Sequence, residues 1–220
     1  MRKKPTIRLN ESQFHNLVKK IVNESLLDFF KRKNKKRYDS YLTQYQIKPL
    51  HTRQELIDTC YLFADNFDSY TPEFFYKYIL GTGLNENNSF IAIENNGGVA
   101  GACIATDEEF PFQELSKKDM KLAKQLYQMK YKCVSVLAVK PQYRGSKLNY
   151  ELVTNVLDKF KQEGSDWAYI QVLHHLKTHD YWKRYGSVEV LDYNGVKHYA
   201  LPISEKAKSI LYKFSIAKQM

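Results

Sequence analysis

The sequence is poor in cysteine, and its few cysteines are not arranged for cysteine-based structure. Its 220 residues include three, Cys60, Cys103 and Cys133, and none of them belongs to a Cys-x-x-Cys pair. Two of the three lie inside apolar runs, where a thiol packs as a small hydrophobic side chain. Neither a disulfide framework nor a zinc site is therefore expected.

The sequence also lacks long apolar runs. No stretch approaches the roughly 18 apolar residues that a membrane-spanning helix needs. The first residues, MRKKPTIRLNESQ, are polar where a secretory signal peptide has its apolar segment, which predicts a cytoplasmic protein. Hydrophobic residues still make up 43% of the chain and aromatic residues 14%, which suffices for one substantial core and an appendage.

Positive charge is concentrated near the N-terminus. The whole chain carries a formal charge of +10, and residues 1–40 hold 12 Lys and Arg against 4 Asp and Glu. Apolar residues from Phe14 to Phe30 recur at spacings of three and four, which predicts an amphipathic helix. We predict that residues 1–40 form a basic helical extension that contacts a partner or an acidic surface. The alternative is that this helix packs on its own domain or pairs with a second copy.

Residues 41–204 show the alternation of strands and helices of one α/β domain, and residues 205–220 form a closing helix. The predicted strands are Tyr45–Leu50, Asn88–Ile93, Val99–Thr106, Cys133–Val139, Trp167–Leu173, Val188–Asp192 and His198–Pro202. The predicted helices are Thr52–Ala64, Pro72–Ile79, Lys117–Met129, Lys147–Gln162 and Thr178–Tyr185. The polar helix Lys117–Met129 is interpreted as an insertion.

One loop carries the strongest chemical signal. The most apolar strand runs through Gln142-Tyr143-Arg144-Gly145-Ser146-Lys147 directly into a helix. Backbone N–H groups at a helix N-terminus attract a pyrophosphate, and glycine lets the backbone turn or approach the ligand closely. An ordinary strand-to-helix turn has a similar composition, so the surrounding elements must decide between the two interpretations.

The string VLAVKPQYRGSKL, and the order of the elements around it, resemble the GNAT superfamily of N-acetyltransferases. The cofactor motif of that family is Gln/Arg-x-x-Gly-x-Gly/Ala after an apolar strand. The resemblance covers about residues 41–204 and implies an α/β GNAT fold, with a central mixed twisted sheet of about six to seven strands flanked by helices. It also implies that the strands before and after the loop separate to admit the thioester of acetyl-CoA.

The resemblance further implies which residues bind acetyl-CoA as co-substrate. The strand end would contact the pantetheine arm through Leu137, Ala138 and Val139. The loop would bind the phosphates through Arg144, Gly145, Ser146, Lys147, Leu148 and Asn149. Lys147 departs from the motif, in which Gly or Ala is usual, and its charge would pair with a phosphate if the side chain points outward.

The second motif of that family departs further from its pattern. Aligning its glycine with Gly186 places Trp182 where a tyrosine protonates the departing thiolate in much of the family, and His175 where asparagine is usual. An indole N–H is far too weak an acid for that step. Two phenols flank Trp182, and Tyr181 is preferred over Tyr185 as the general acid.

A general base is expected because an amine is protonated near neutral pH. Where some family members place a glutamate early in the strand before the loop, this sequence has Tyr131 and Lys132. The candidate bases are instead Asp107, Glu108, Glu109, His174 and His175, of which Glu108 and His175 are singled out. His175 and His179 are four residues apart, but no third ligand is evident, so no metal site is expected.

Two functions remain open from the sequence. The first is an N-acetyltransferase that moves an acetyl group from acetyl-CoA to a primary amine by direct attack in a ternary complex. Its acceptor would be a small molecule, a protein lysine or an N-terminus. The second is a catalytically degenerate GNAT-fold binding module, recruited through its basic N-terminal helix. The intact loop favours the enzyme, which we prefer, whereas the departures at His175, Thr178 and Trp182 favour the module.

Overall fold

The computed structural model describes residues 45–174, 176 and 178–218. The predicted helix of residues 1–40, the domain boundary after it and His175 lie outside the described residues. The seven strands predicted from the sequence are all present, and their ends differ from the predicted ones by at most two residues.

The strands are β1 (Tyr45–Pro49), β2 (Phe90–Glu94), β3 (Val99–Thr106), β4 (Tyr131–Val139), β5 (Trp167–Leu173), β6 (Val188–Tyr193) and β7 (Val196–Pro202). They form one mixed sheet in the order β1-β2-β3-β4-β5-β7-β6. All neighbours are antiparallel except β4 and β5, which run parallel because a helix connects them. The predicted GNAT sheet is confirmed.

The described helices are α1 (Arg53–Asn66), α2 (Pro72–Gly81), α3 (Phe112–Lys118), α4 (Met120–Tyr127), α5 (Leu148–Gln162), α6 (His179–Arg184) and α7 (Glu205–Ala217). Local sequence explains where the first two begin. Thr52 and Glu55 form a capping box at the start of α1. Thr71 caps α2 by accepting a hydrogen bond from the N–H of Phe74, and Pro72 occupies the first turn.

The inserted helix predicted over Lys117–Met129 is wrong in its bounds. Two helices, α3 and α4, occupy this region and meet at Asp119. Asp119 has an extended backbone with φ of −148°, and its side chain accepts a hydrogen bond from the N–H of Leu122 at 2.8 Å. An aspartate in this role ends one helix and caps the next, so the polar run cannot continue as a single helix.

The sheet buries both of its faces against helices. On β3, Ala102 and Ile104 belong to a core cluster with residues of α1 and α2, whereas Cys103 and Ala105 belong to one with residues of α5. This alternation is that of a strand covered on both sides. A further cluster joins α3, α4 and α7 to β5, β6 and β7. Among the described residues, no helix is long and apolar enough to cross a membrane.

Candidate functional site

A cleft opens where the two parallel strands stop pairing. The register of β4 and β5 runs from Tyr131 opposite Trp167 to Val134 opposite Ile170 and ends there. Both strands continue beyond that point, to Val139 and Leu173. A cavity of about 630 Å³ lies at the opening and is lined from β4 by residues 134–139. The separation of the strands that the sequence led us to expect is therefore present.

The glycine loop lies at the end of β4, as predicted. Gly145 has φ of +80°, and a Cβ added to it would meet no atom of the described residues within 4 Å. Glycine is favoured here by its backbone conformation and not by crowding. The Oγ of Ser146 donates to the carbonyl of Tyr143 at 2.6 Å and accepts from the N–H of Leu148 at 3.2 Å. Two side-chain bonds thus brace the turn into α5.

A second layer of contacts, which the sequence did not reveal, anchors the loop. Glu94, in the β2–β3 hairpin, accepts hydrogen bonds from Lys140 at 2.6 Å and from the hydroxyl of Tyr143 at 3.0 Å. Burial acts to raise the pKa of Glu94, but these bonds outweigh it, and the net pKa is lowered from 4.5. On the far side of the loop, Arg144 donates to Asn66 at 2.7 Å. The loop is held at both flanks.

Two residues that line the cavity each have a buried side-chain atom without a hydrogen-bond partner among the described residues. These atoms are Oδ1 of Asn149, an acceptor at the start of α5, and Nε2 of Gln171, a donor on β5. Buried polar groups are normally paired, so such atoms indicate a ligand with complementary groups. The pantetheine arm of CoA carries amide donors and acceptors, and the residues present therefore fit that group.

The residues predicted to bind the cofactor fall into three groups. Leu137, Ala138, Val139, Arg144 and Asn149 line the cavity. The side chain of Leu148 is fully buried in the core, so this residue would act only through its backbone. Gly145, Ser146 and Lys147 lie in the turn between the lining residues Arg144 and Asn149.

The candidate general acid lies on the cavity with a second phenol behind it. Tyr181 and Trp182 both line the cavity, and the hydroxyls of Tyr181 and Tyr185 are 3.0 Å apart. Burial, followed by the proximity of Tyr185, raises the pKa of Tyr181 well above its ordinary value of 10.0. Tyr181 therefore keeps its proton at neutral pH.

Of the three acidic residues that follow β3, Glu108 alone lines the cavity. Its Oε2 accepts a hydrogen bond from the hydroxyl of Tyr78 on α2, at 2.8 Å. Burial and then the nearby Glu108 charge raise the pKa of Tyr78, so the phenol stays a donor. The sequence gave no reason to pair Tyr78 with Glu108, because the two are 30 residues apart.

The neighbouring acids and the β4 residues at the family's glutamate position do not line the cavity. The Asp107 carboxylate is 66% exposed and lies 3.8 Å from the amine of Lys132. The hydroxyl of Tyr131 accepts from the N–H of Phe110 at 2.9 Å, and its ring stacks on Trp167. Neither Asp107 nor Tyr131 therefore supplies a base to the cleft.

The described histidines near the end of β5 make contacts away from the cavity. His174 lies at the surface, 2.9 Å from a carboxylate oxygen of Asp192, and His179 lies 3.1 Å from the hydroxyl of Tyr199. The described residues contain no group of three or more His, Cys, Asp and Glu side chains placed to hold a metal.

Comparison of the sequence with known families identifies this chain. Residues 50–186 match the profile of the acetyltransferase (GNAT) family, which is more than half of the 220 residues. The chain therefore belongs to the GNAT family of acetyltransferases. A comparison with curated protein sequences finds no significant match.

Solved structures share the fold at low sequence identity. YhbS, a GNAT family N-acetyltransferase from Escherichia coli in complex with CoA, is 14% identical with a TM-score of 0.53, over 74% of this chain and 84% of that one. Ard1 from Thermoplasma volcanium is 11% identical with a TM-score of 0.54, over 74% and 100%. PH1933 from Pyrococcus horikoshii OT3 is 13% identical with a TM-score of 0.55, over 72% and 98%. These similarities show the fold.

Proposed function

We propose that the protein is an N-acetyltransferase that moves an acetyl group from acetyl-CoA to a primary amine by direct attack in a ternary complex. The observation that carries the proposal is the presence of Glu108 and Tyr181 on one cavity, at the separation of β4 and β5. Acetylation of an amine needs a group that accepts a proton and a group that donates one. Family membership supports acetyl-CoA as the co-substrate.

Acetyl-CoA would lie along the open edge of β4. One edge of this strand pairs with β3 as far as Val139, whereas the edge towards β5 has no strand partner beyond Val134 among the described residues. Backbone groups of Leu137, Ala138 and Val139 on that edge would bond the amides of the pantetheine arm. The turn from Arg144 to Asn149, at the N-terminus of α5, would bind the phosphates.

Two side chains would handle the protons. Acetyl-CoA supplies the thioester carbonyl carbon, at which a C–N bond to the amine forms and the C–S bond breaks. Glu108, whose Oε2 is occupied by Tyr78, would take the proton that the amine loses on its Oε1 and release it to solvent. Tyr181, whose hydroxyl lies 3.0 Å from that of Tyr185, would give its proton to the thiolate and regain one from solvent.

The test is a steady-state assay of CoA thiol release with acetyl-CoA and a panel of primary amines. Glu108→Gln, which keeps the shape but cannot take a proton, should lower kcat/KM by about 10²–10⁴-fold near neutral pH. Glu109→Gln is the matched control, because Glu109 is an exposed neighbour that does not line the cavity. If the protein binds CoA but transfers acetyl to no amine, the proposed enzymatic function is refuted and the degenerate binding module remains.

We infer in addition that residues 1–40 are a separate basic extension that recruits an acidic partner or surface, with 41–204 as the acetyltransferase domain and 205–220 as its closing helix. The charge distribution supports this division, because 12 of the 34 Lys and Arg residues precede residue 41. Binding of the full chain, but not of residues 41–220, to an anionic polymer such as heparin would support the role of the extension.

A further inference from the structure

One wall of the cavity is built from aromatic rings. We call Phe67, Tyr70, Phe74, Phe75 and Tyr78 the aromatic wall; all five line the cavity from the end of α1, the α1–α2 connection and α2. Three of the rings form a continuous row. Tyr70 stacks on Phe74 with ring centroids 4.5 Å apart, and Phe74 is parallel to Tyr78, at 6.1 Å and an interplanar angle of 1°.

The centre of this row is exposed although it is apolar. Phe74 is 44% accessible, whereas its neighbour Phe75 is 5% accessible in the core. An exposed aromatic ring that lines a cavity is typical of a ligand-binding site, where the bound ligand covers the ring. The row ends at the hydroxyl of Tyr78, which holds Glu108. The proposed base thus lies at one end of this row of rings.

The cavity has few charged groups, and this narrows the chemical class of amine that it can accept. Among the described lining residues, Glu108 is the one carboxylate and Arg144 the one cation, and Arg144 is bonded to Asn66 on the loop side. A polyamine or another polycation needs several carboxylates to replace its hydration, because unpaired charges are costly to bury. A peptide would bring several backbone N–H and C=O groups to a wall that offers only two phenol hydroxyls, on Tyr70 and Tyr78.

The geometry points to a monoamine with an aromatic body, an arylalkylamine, as the acceptor. Its ring would pack against the rings of the aromatic wall, and its single amine would reach Glu108, the carboxylate at the end of the row. This inference rests on the proposed acetyl transfer and names the chemical class of its acceptor.

The experiment compares phenethylamine with n-hexylamine, spermidine and a short peptide with a free N-terminus, using thiol release on the full chain. Phenethylamine should have the highest kcat/KM. Phe74→Ala should raise KM for phenethylamine by about tenfold or more relative to KM for n-hexylamine, because ring stacking is lost. KM for acetyl-CoA should stay within about twofold of the wild type, because Phe74 lies on α2 and is not among the residues proposed to bind the cofactor.

Leu80→Ala is the matched control, since Leu80 lies on the same helix, is 47% exposed and does not line the cavity. A better rate with spermidine or the peptide, or an unchanged KM ratio in Phe74→Ala, overturns the acceptor class while acetyl transfer stands. No transfer to any amine overturns the proposed function instead. Equilibrium dialysis of phenethylamine against the CoA-loaded protein then decides the acceptor site by itself, because binding that Phe74→Ala abolishes supports it and the absence of binding refutes it.

Discussion

Replacing Gly145 by alanine tests whether the loop between β4 and α5 holds the phosphates of CoA. Gly145 has φ of +80°, where an L-residue pays roughly 1–2 kcal/mol. No atom of the described residues lies within 4 Å of the added Cβ, so the substitution introduces strain without a clash. If the free loop relaxes to a negative φ, binding must restore the strained form. The Kd for CoA should then rise by about 5- to 30-fold, which is the factor that corresponds to a free energy of roughly 1–2 kcal/mol.

Gly164→Ala is the matched control for this experiment. Gly164 has φ of +76° and equally open surroundings, but it follows the C-terminal end of α5, away from the loop. Thermal melting should show that both variants are folded, whereas calorimetry with CoA should show weaker binding in Gly145→Ala alone. If Gly145→Ala binds CoA as tightly as the wild type, the loop has been assigned to the wrong ligand.

Three further experiments test other parts of the protein. Glu94→Gln should lower the free energy of unfolding by roughly 1–3 kcal/mol near pH 7, because charged hydrogen bonds to Lys140 and Tyr143 are lost. The pKa of Glu94 is lowered by folding, so this contribution is fully present above pH 4.5 and is lost as the pH falls through the lowered pKa of the folded state; a gap between the two proteins that persists below that pKa would contradict the anchoring role. Residues 41–220 alone should bind CoA as the full chain does, and failure in calorimetry would show that the extension completes the core. Tyr181→Phe should lower kcat by about 10²-fold or more and Tyr185→Phe by less; near-normal rates in both would assign the proton to another donor, such as His175.

Features set by neighbouring residues were predictable from the sequence. The apolar run around Cys133–Val139 predicts a buried strand, and the turn at Asn194-Gly195 predicts the hairpin of β6 and β7; both are confirmed. Gly145 stood out because its position after a buried strand and before a helix is typical of a phosphate loop. In each case the signal lies within about ten residues of chain.

Features set by distant residues were not predictable. Tyr78 holds Glu108 across 30 residues, and Glu94 anchors Lys140 across 46. No local pattern marks either partner, because both contacts depend on how α2 and the β2–β3 hairpin lie against β4. The break at Asp119 was missed for a different reason: the side chain of an aspartate caps a helix only when the backbone there is extended, and the polar run alone does not show that.

The tryptophan at the motif's tyrosine position does not by itself remove a phenol from the cleft. Successive residues of a helix point about 100° apart, so the side chains of Tyr181 and Trp182 would be expected to face different surroundings. The helix α6 has only six residues, however, and the cavity is wide enough to be lined by both side chains. Tyr181 and Tyr185 are four residues apart and share one face, which brings their hydroxyls to 3.0 Å. A phenol on the cavity is thus compatible with Trp182 in the motif position, and the substitution of that tyrosine is not an argument for lost catalysis.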